Sequence, residues 1–241
     1  MFIAILLFAC SQDSINDQVN SQDQTIKIEA GETHNQILEN FFENYEQNQI
    51  LSKTQNEIDI VISAIDQYLV NEGSDVTFSD IYYNNSDYKE FMNKIIDAGK
   101  NISQIKNVFR EAHERMDSKQ AILDNSLALM DIMLNYEGTK EFKVVLSQFE
   151  SEISTSKELN SEEKNYMLMA IDVARESNIY WHDGNNNYVP NGFGDIAGAD
   201  GAGAVMAVQT GAVFYASVSL GPWGGFAALV GDAALTSILA A

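Results

Sequence analysis

The sequence is poor in cysteine, proline and positive charge, and each shortage closes off a class of function. Cys10 is the single cysteine, so an internal disulfide framework and a Cys-rich metal cluster are both excluded. The two prolines are Pro190 and Pro222, which leaves nearly four-fifths of the chain without the strongest breaker of helices. Lysine and arginine number 14 against 35 acidic residues, a net charge of −21. Such a surface repels nucleic acid and anionic lipid headgroups, so neither is expected as an electrostatic partner.

Chemistry-bearing constellations are equally scarce. His34, His113 and His182 are scattered, and no pair of nitrogen or sulfur ligands stands at zinc-site spacing. The group Glu111, His113 and Glu114 reads as a solvated helix face, and Glu162-Glu163 as favourable charge at a helix start. Asp183, Asn185 and Asn187 open like a calcium loop. Tyr188 then stands where that loop needs glycine, and Gly194 where it needs a bidentate glutamate, so a polar turn is the expectation. No glycine-rich phosphate loop and no serine nucleophile elbow occurs. No enzyme activity, cofactor, metal or small-molecule substrate is expected.

What is present begins at the N-terminus. The opening MFIAILLFAC is an apolar run ending in Cys10 and followed by polar Ser11-Gln12-Asp13. Leu7, Ala9 and Cys10 resemble the lipobox of bacterial lipoproteins, with Phe8 bulkier than usual at its place. That resemblance implies lipidation of Cys10 and a place in the bacterial cell envelope, on the outer membrane or the cell surface, with secretion as the alternative. The first basic residue is Lys27, so the positive region that opens a signal peptide is missing. The true start is therefore expected some residues upstream. Residues 11–32, rich in Ser, Gln, Asn and Asp, read as a flexible tether reaching roughly 25 Å.

Residues 33–181 carry helical periodicity throughout. Thr33 with Gln36 and Thr54 with Glu57 read as capping boxes; Asn160 and Ser161 offer a third start. Apolar stripes such as Ile58, Val61, Ile65 and Leu69 follow, and Gly73, Gly99 and Gly138 read as stops. Residues 76–88 read as a loop or irregular crossing. The fold class expected is all-α: a bundle of six or seven helices, a polar loop over 182–195, and a Gly/Ala-rich helical hairpin over 196–241.

The last segment is compositionally distinct. Ten of fifteen glycines lie from Gly192 onward, and residues 201–231 carry no charged residue or histidine. Ala199, Gly203, Ala207 and Gly211 recur every four residues, and Ala227 with Gly231 continues the pattern, giving smooth ridges for close helix packing. Residues 201–220 would make one helix about 30 Å long, turned at Gly221, Pro222, Gly224 and Gly225. Alternation over Val213–Leu220 leaves a strand open as well. Against a membrane span stand Gln209, Thr210, Ser217, Ser219 and Asp232. The spacing resembles glycine-zipper segments of small bacteriocins, although basic residues are lacking. That resemblance implies a segment that inserts into a membrane or self-assembles, as in a toxin. Two readings therefore stand. In one, residues 196–241 engage a lipid bilayer, a protein partner or a second copy. In the other, the hairpin packs into the soluble bundle of a surface binding or scaffolding lipoprotein.

Overall fold

The computed structural model describes residues 30–44, 55–99, 101–182, 196–220 and 222–240. Every regular element among them is an α-helix, as the periodicity predicts. In chain order these are α1 (30–44), α2 (Gln55–Asn71), α3 (Phe78–Asn84), α4 (Ser86–Ala98), α5 (Ile102–Met116) and α6 (Gln120–Tyr136). There follow α7 (Phe142–Thr155), α8 (Ser161–His182), α9 (Ile196–Gln209), α10 (Ala212–Leu220) and α11 (Pro222–Ala240). Among the described residues eight helices, not six or seven, thus precede the Gly/Ala-rich segment.

Several boundaries follow from local chemistry. At the start of α8, Asn160 Oδ1 accepts from the Glu163 N–H at 2.9 Å, and Glu163 Oε2 accepts from the Asn160 N–H at 2.8 Å. Two orphan donors of the first turn are satisfied reciprocally. Gly73 and Gly138 take positive φ of 88° and 71° just beyond α2 and α6, a conformation that costs glycine nothing.

Residues 76–88 are not a loop. Thr77 caps α3 by accepting from the Asp80 N–H, and Asn85 caps α4 by accepting from the Tyr88 N–H. Phe78, Ile81 and Tyr82 form the buried face of α3. The polar residues that suggest a turn are caps between two short helices. Thr33 does not open a helix either, because α1 already runs from residue 30. Its first turn is held from a distance: the Gly31 N–H donates to Asp172 Oδ2 of α8 at 3.0 Å. The tether assigned to 11–32 therefore ends before residue 30. Thr54, Cys10 and Asp183 to Asn187 lie outside the described residues, as does most of the polar loop assigned to 182–195; His182 is the last residue of α8.

The Gly/Ala-rich segment is three helices, not a two-armed hairpin. Thr210 and Gly211, the latter at φ 71°, break the expected 20-residue arm into α9 and α10. Val213–Leu220 lies in α10, so its alternation makes no strand. Pro222 opens α11, a position where its missing N–H is not needed. Gly224 and Gly225 lie inside that helix, not in a turn.

These helices occupy the middle of the molecule. α9 packs against α4, α5, α6, α8, α10 and α11, while α11 also touches α2, α3, α4 and α8. From Gly198 to Thr210 every residue is buried, and 89% of Trp223–Ala240 is buried. A helix apolar on all sides needs such enclosure in water. The amphipathic helices α4 and α5 supply part of it, burying Tyr88, Phe91, Ile95, Ile105 and Phe109. The segment is the core around which the others wrap.

Candidate functional site

Close approach of α9 to α11 depends on small residues. A methyl group at Gly203 would lie 2.7 Å from the Asp232 carbonyl carbon and closer still to the carbonyl oxygen and to Thr236. Gly203 is therefore a true backbone-to-backbone contact. Ala199 and Ala207 are buried on the same helix. Gly211 is not part of that ridge, because it sits in the break after α9. Ala227 is buried, whereas Gly231 meets the ring of Phe78, 2.6 Å from where its Cβ would stand. Gly224 accommodates the Ala216 backbone of α10, and Gly225 accommodates Tyr166 and Ser217. Gly221 lies outside the described residues.

Four polar side chains on these inner helices reach outer helices of the bundle. Asp200 of α9 accepts at Oδ2 from Ser177 Oγ and from Trp181 Nε1 at 2.9 Å, both on α8. His34 of α1 places Nε2 3.6 Å from the same oxygen, and its Nδ1 lies 3.0 Å from Asn35 Oδ1. Gln209, closing α9, accepts from Ser126 Oγ of α6 at 3.3 Å and donates to Ser118 Oγ. Ser217 of α10 shares a hydrogen bond with Tyr166 Oη of α8. Asp232 of α11 accepts at Oδ1 from Tyr88 Oη of α4. Thr210 and Thr236 bond back to carbonyls of their own helices at 2.8 Å. Four polar pegs thus tie the apolar core to α1, α4, α6 and α8.

Electrostatics follow from enclosure. Burial pushes the carboxyl of Asp200 above its ordinary range, against the opposing pull of His34 and of the hydrogen bonds from Ser177 and Trp181. Burial pushes His34 the other way, below the usual imidazole value, with Asp200 opposing. Asp232 is raised well above the carboxylate range by burial, the Tyr88 bond opposing, and Tyr88 is itself raised well above the usual phenol value. Charge inside this core is disfavoured from every side. Among the described residues His34 Nε2 and Asp232 Oδ2 have no hydrogen-bond partner, while Ser237 of α11 joins Ser177 and Trp181 in opposing the rise at Asp200.

Ser177, His34 and Asp200 are the residue types of a hydrolytic triad, but their order is wrong for one. The serine hydroxyl bonds the carboxylate and not the imidazole, so the imidazole is not in the place of a triad's base. All three residues are fully enclosed. Among the described residues no group of three or more His, Cys, Asp or Glu is placed to hold a metal ion.

Sequence reasoning flagged Gln209, Thr210, Ser217 and Asp232 only as obstacles to a membrane span. It did not find Asp200 or its partners: Ser177 and Trp181 lie 23 and 19 residues away, and Tyr88 lies 144 residues from Asp232. The surface carries a second feature. At the corner between α10 and α11, Val218, Leu220 and Trp223 are 87%, 40% and 48% exposed. No protein-family model matches the chain, and no curated protein or solved structure matches it.

Proposed function

We propose that the chain is a cell-envelope lipoprotein, anchored through Cys10, whose helical domain binds or scaffolds a partner around an internal Gly/Ala-rich core. One observation favours this reading over membrane insertion: the polar groups least compatible with lipid, Asp200, Gln209, Ser217 and Asp232, are each answered by a partner on another helix of the bundle. Moving α9–α11 into a bilayer would break all four attachments and strand carboxyl groups in hydrocarbon.

The second reading, insertion of this segment into a membrane or its self-assembly, is favoured by two features. At 19 residues α11 is about 28 Å long and apolar throughout, apart from Asp232 and hydroxyls. Its entrance also exposes Val218, Leu220 and Trp223.

The two readings separate in one experiment on a Cys10→Ser background, where the proposed anchor is absent and lipid contact reports the helices alone. The full chain and a chain ending at Asn191 are compared by thermal unfolding and by co-flotation with neutral phosphatidylcholine vesicles. The core reading expects truncation to abolish cooperative unfolding and neither chain to float. An unchanged melting transition, with flotation by the full chain only, refutes it and supports insertion. Val218→Ser, Leu220→Ser and Trp223→Ser together would then weaken flotation.

A further inference from the structure

A groove of about 390 Å³ opens where the first turn of α1, the last turn of α2 and the start of α11 converge. Two of its walls are carboxylates, Glu32 and Glu72; three are aromatic, Tyr68, Trp223 and Phe226. Trp223 stands edge-on to Phe226, with ring centroids 5.5 Å apart, and keeps about half of its surface open. Between the carboxylates and the rings lies Gln36. It donates to Glu32 Oε1 at 3.2 Å and accepts from Tyr68 Oη at 2.5 Å.

Neither Glu32 nor Glu72 forms an ion pair with a lysine or arginine among the described residues, whereas Lys94, Lys106, Arg115, Lys119 and Arg175 are paired with other carboxylates. The negative field inside the groove registers on its own phenol. Tyr68 is pushed up to about 12, first by burial and then by Glu72, Glu32 and Glu39.

Two exposed carboxylates that line one groove with Tyr68 and the half-open Trp223 select a particular chemistry, Phe226 being buried beneath. A hard divalent cation wants six or more oxygen ligands, and rings supply none. Ammonium groups bearing alkyl carbon are weakly hydrated. They gain from a ring face and from a nearby carboxylate together, as in aromatic cages. We propose that this groove binds an organic ammonium cation, carried either by a small molecule or by a lysine side chain of a partner. The inference rests on the binding reading above and gives that partner its chemistry.

The test is a ligand-observed NMR titration of the full chain with tetramethylammonium, with its neutral isostere tert-butanol, and with a blocked Gly-Lys-Gly peptide. Tetramethylammonium is expected to bind about ten-fold tighter than tert-butanol. Glu32→Gln with Glu72→Gln should weaken it about five-fold, and Trp223→Ala about three-fold, while Glu152→Gln with Glu158→Gln, which lowers net charge equally on exposed α7 and the loop after it, should leave it unchanged. Tighter binding of the peptide assigns the cation to a partner's lysine; tighter binding of tetramethylammonium assigns it to a small molecule. Equal binding of tetramethylammonium and tert-butanol overturns the proposal. So does equal weakening by the two glutamate pairs, since that would be condensation on an acidic surface. Tightening by Lys27→Gln or Lys53→Gln overturns it too, because the chain's own lysine would then be the occupant. No lipid enters the titration, so its failure removes the cation site without touching the vesicle result.

Discussion

Gly201 and Gly203 stand two residues apart on α9, and replacing each by alanine should move stability in opposite directions. Both exchanges remove the conformational cost of glycine in a helix, a gain of about 0.5–1 kcal/mol. At Gly201 the added methyl meets Met130 Cε at 3.4 Å, Met133 Cγ at 3.7 Å and the Ala174 methyl at 3.8 Å, all ordinary contacts with flexible or small groups. At Gly203 it would press on the backbone of α11 at Asp232, and a helix backbone cannot step aside as a methionine can. Overpacking of this kind costs about 1–3 kcal/mol, and a contact on backbone belongs at the upper end. The expected net effects are a gain of about 0.5 kcal/mol for Gly201→Ala and a loss of about 2 kcal/mol for Gly203→Ala. In a chain of this size each kcal/mol moves the melting temperature by about 2–4 °C. Thermal unfolding followed by circular dichroism should therefore separate the two variants by about 5–10 °C. If Gly203→Ala melts at or above Gly201→Ala, α9 and α11 are not interlocked, and the account of the core fails.

Two further expectations concern the polar pegs. Asp232 holds its proton more tightly in the fold than in the unfolded chain, so its contribution is fully present below about pH 4 and is lost as pH rises through the raised folded value. Tyr88 is the polar group bonded to it; Asp200 acts in the same direction, and His34, lowered by burial, acts oppositely below about pH 6.5. Asp232→Asn should match the wild type near pH 4 and exceed it in melting temperature near pH 8; a variant less stable than wild type at pH 8 would show that the carboxylate is ionised and stabilising there. Ser177→Ala removes one of two donors to Asp200 Oδ2, leaving Trp181, and should cost about 0.5–1.5 kcal/mol in urea unfolding, the net worth of one hydrogen bond. A cost below about 0.5 kcal/mol would mean that the hydroxyl is not holding the carboxyl group.

Much of the fold was legible because its signals are local. Glycines at Gly73 and Gly138 end helices by backbone geometry alone, and Asn160 with Glu163 closes a box within four residues. Failures came where a local signal had two meanings or a distant group took over. Asn85 and Thr77 look like turn residues, yet they cap helices whose buried faces are only a few residues long. Thr33 looks like a cap, yet the helix starts earlier because Asp172 reaches its first turn from α8. Gly211 continues a four-residue spacing, yet its positive φ stops the helix. Of the core cluster, Asp232 and Gln209 were visible as misfits in an apolar stretch. Their partners were not, since nothing in a single sequence pairs Tyr88 with a residue 144 positions on.

Those misfits have a physical role that the small residues cannot fill. A ridge repeating Ala199, Gly203 and Ala207 is nearly the same surface after a slide of one helical turn, about 5.4 Å, so close packing alone defines the register of α9 poorly. Hydrogen bonds do not share that degeneracy. Sliding α9 by one turn would carry Asp200 away from Ser177 and Trp181 at one end, and Gln209 away from Ser126 at the other. Each lost bond leaves an enclosed polar group unpaired, at about 1–3 kcal/mol apiece. The apolar surface supplies most of the attraction that gathers the described helices, while the pegs decide which of several similar packings is occupied. Asp200, sitting in the first turns of α9 and meeting α1 and α8 together, ties these three helices into a single arrangement.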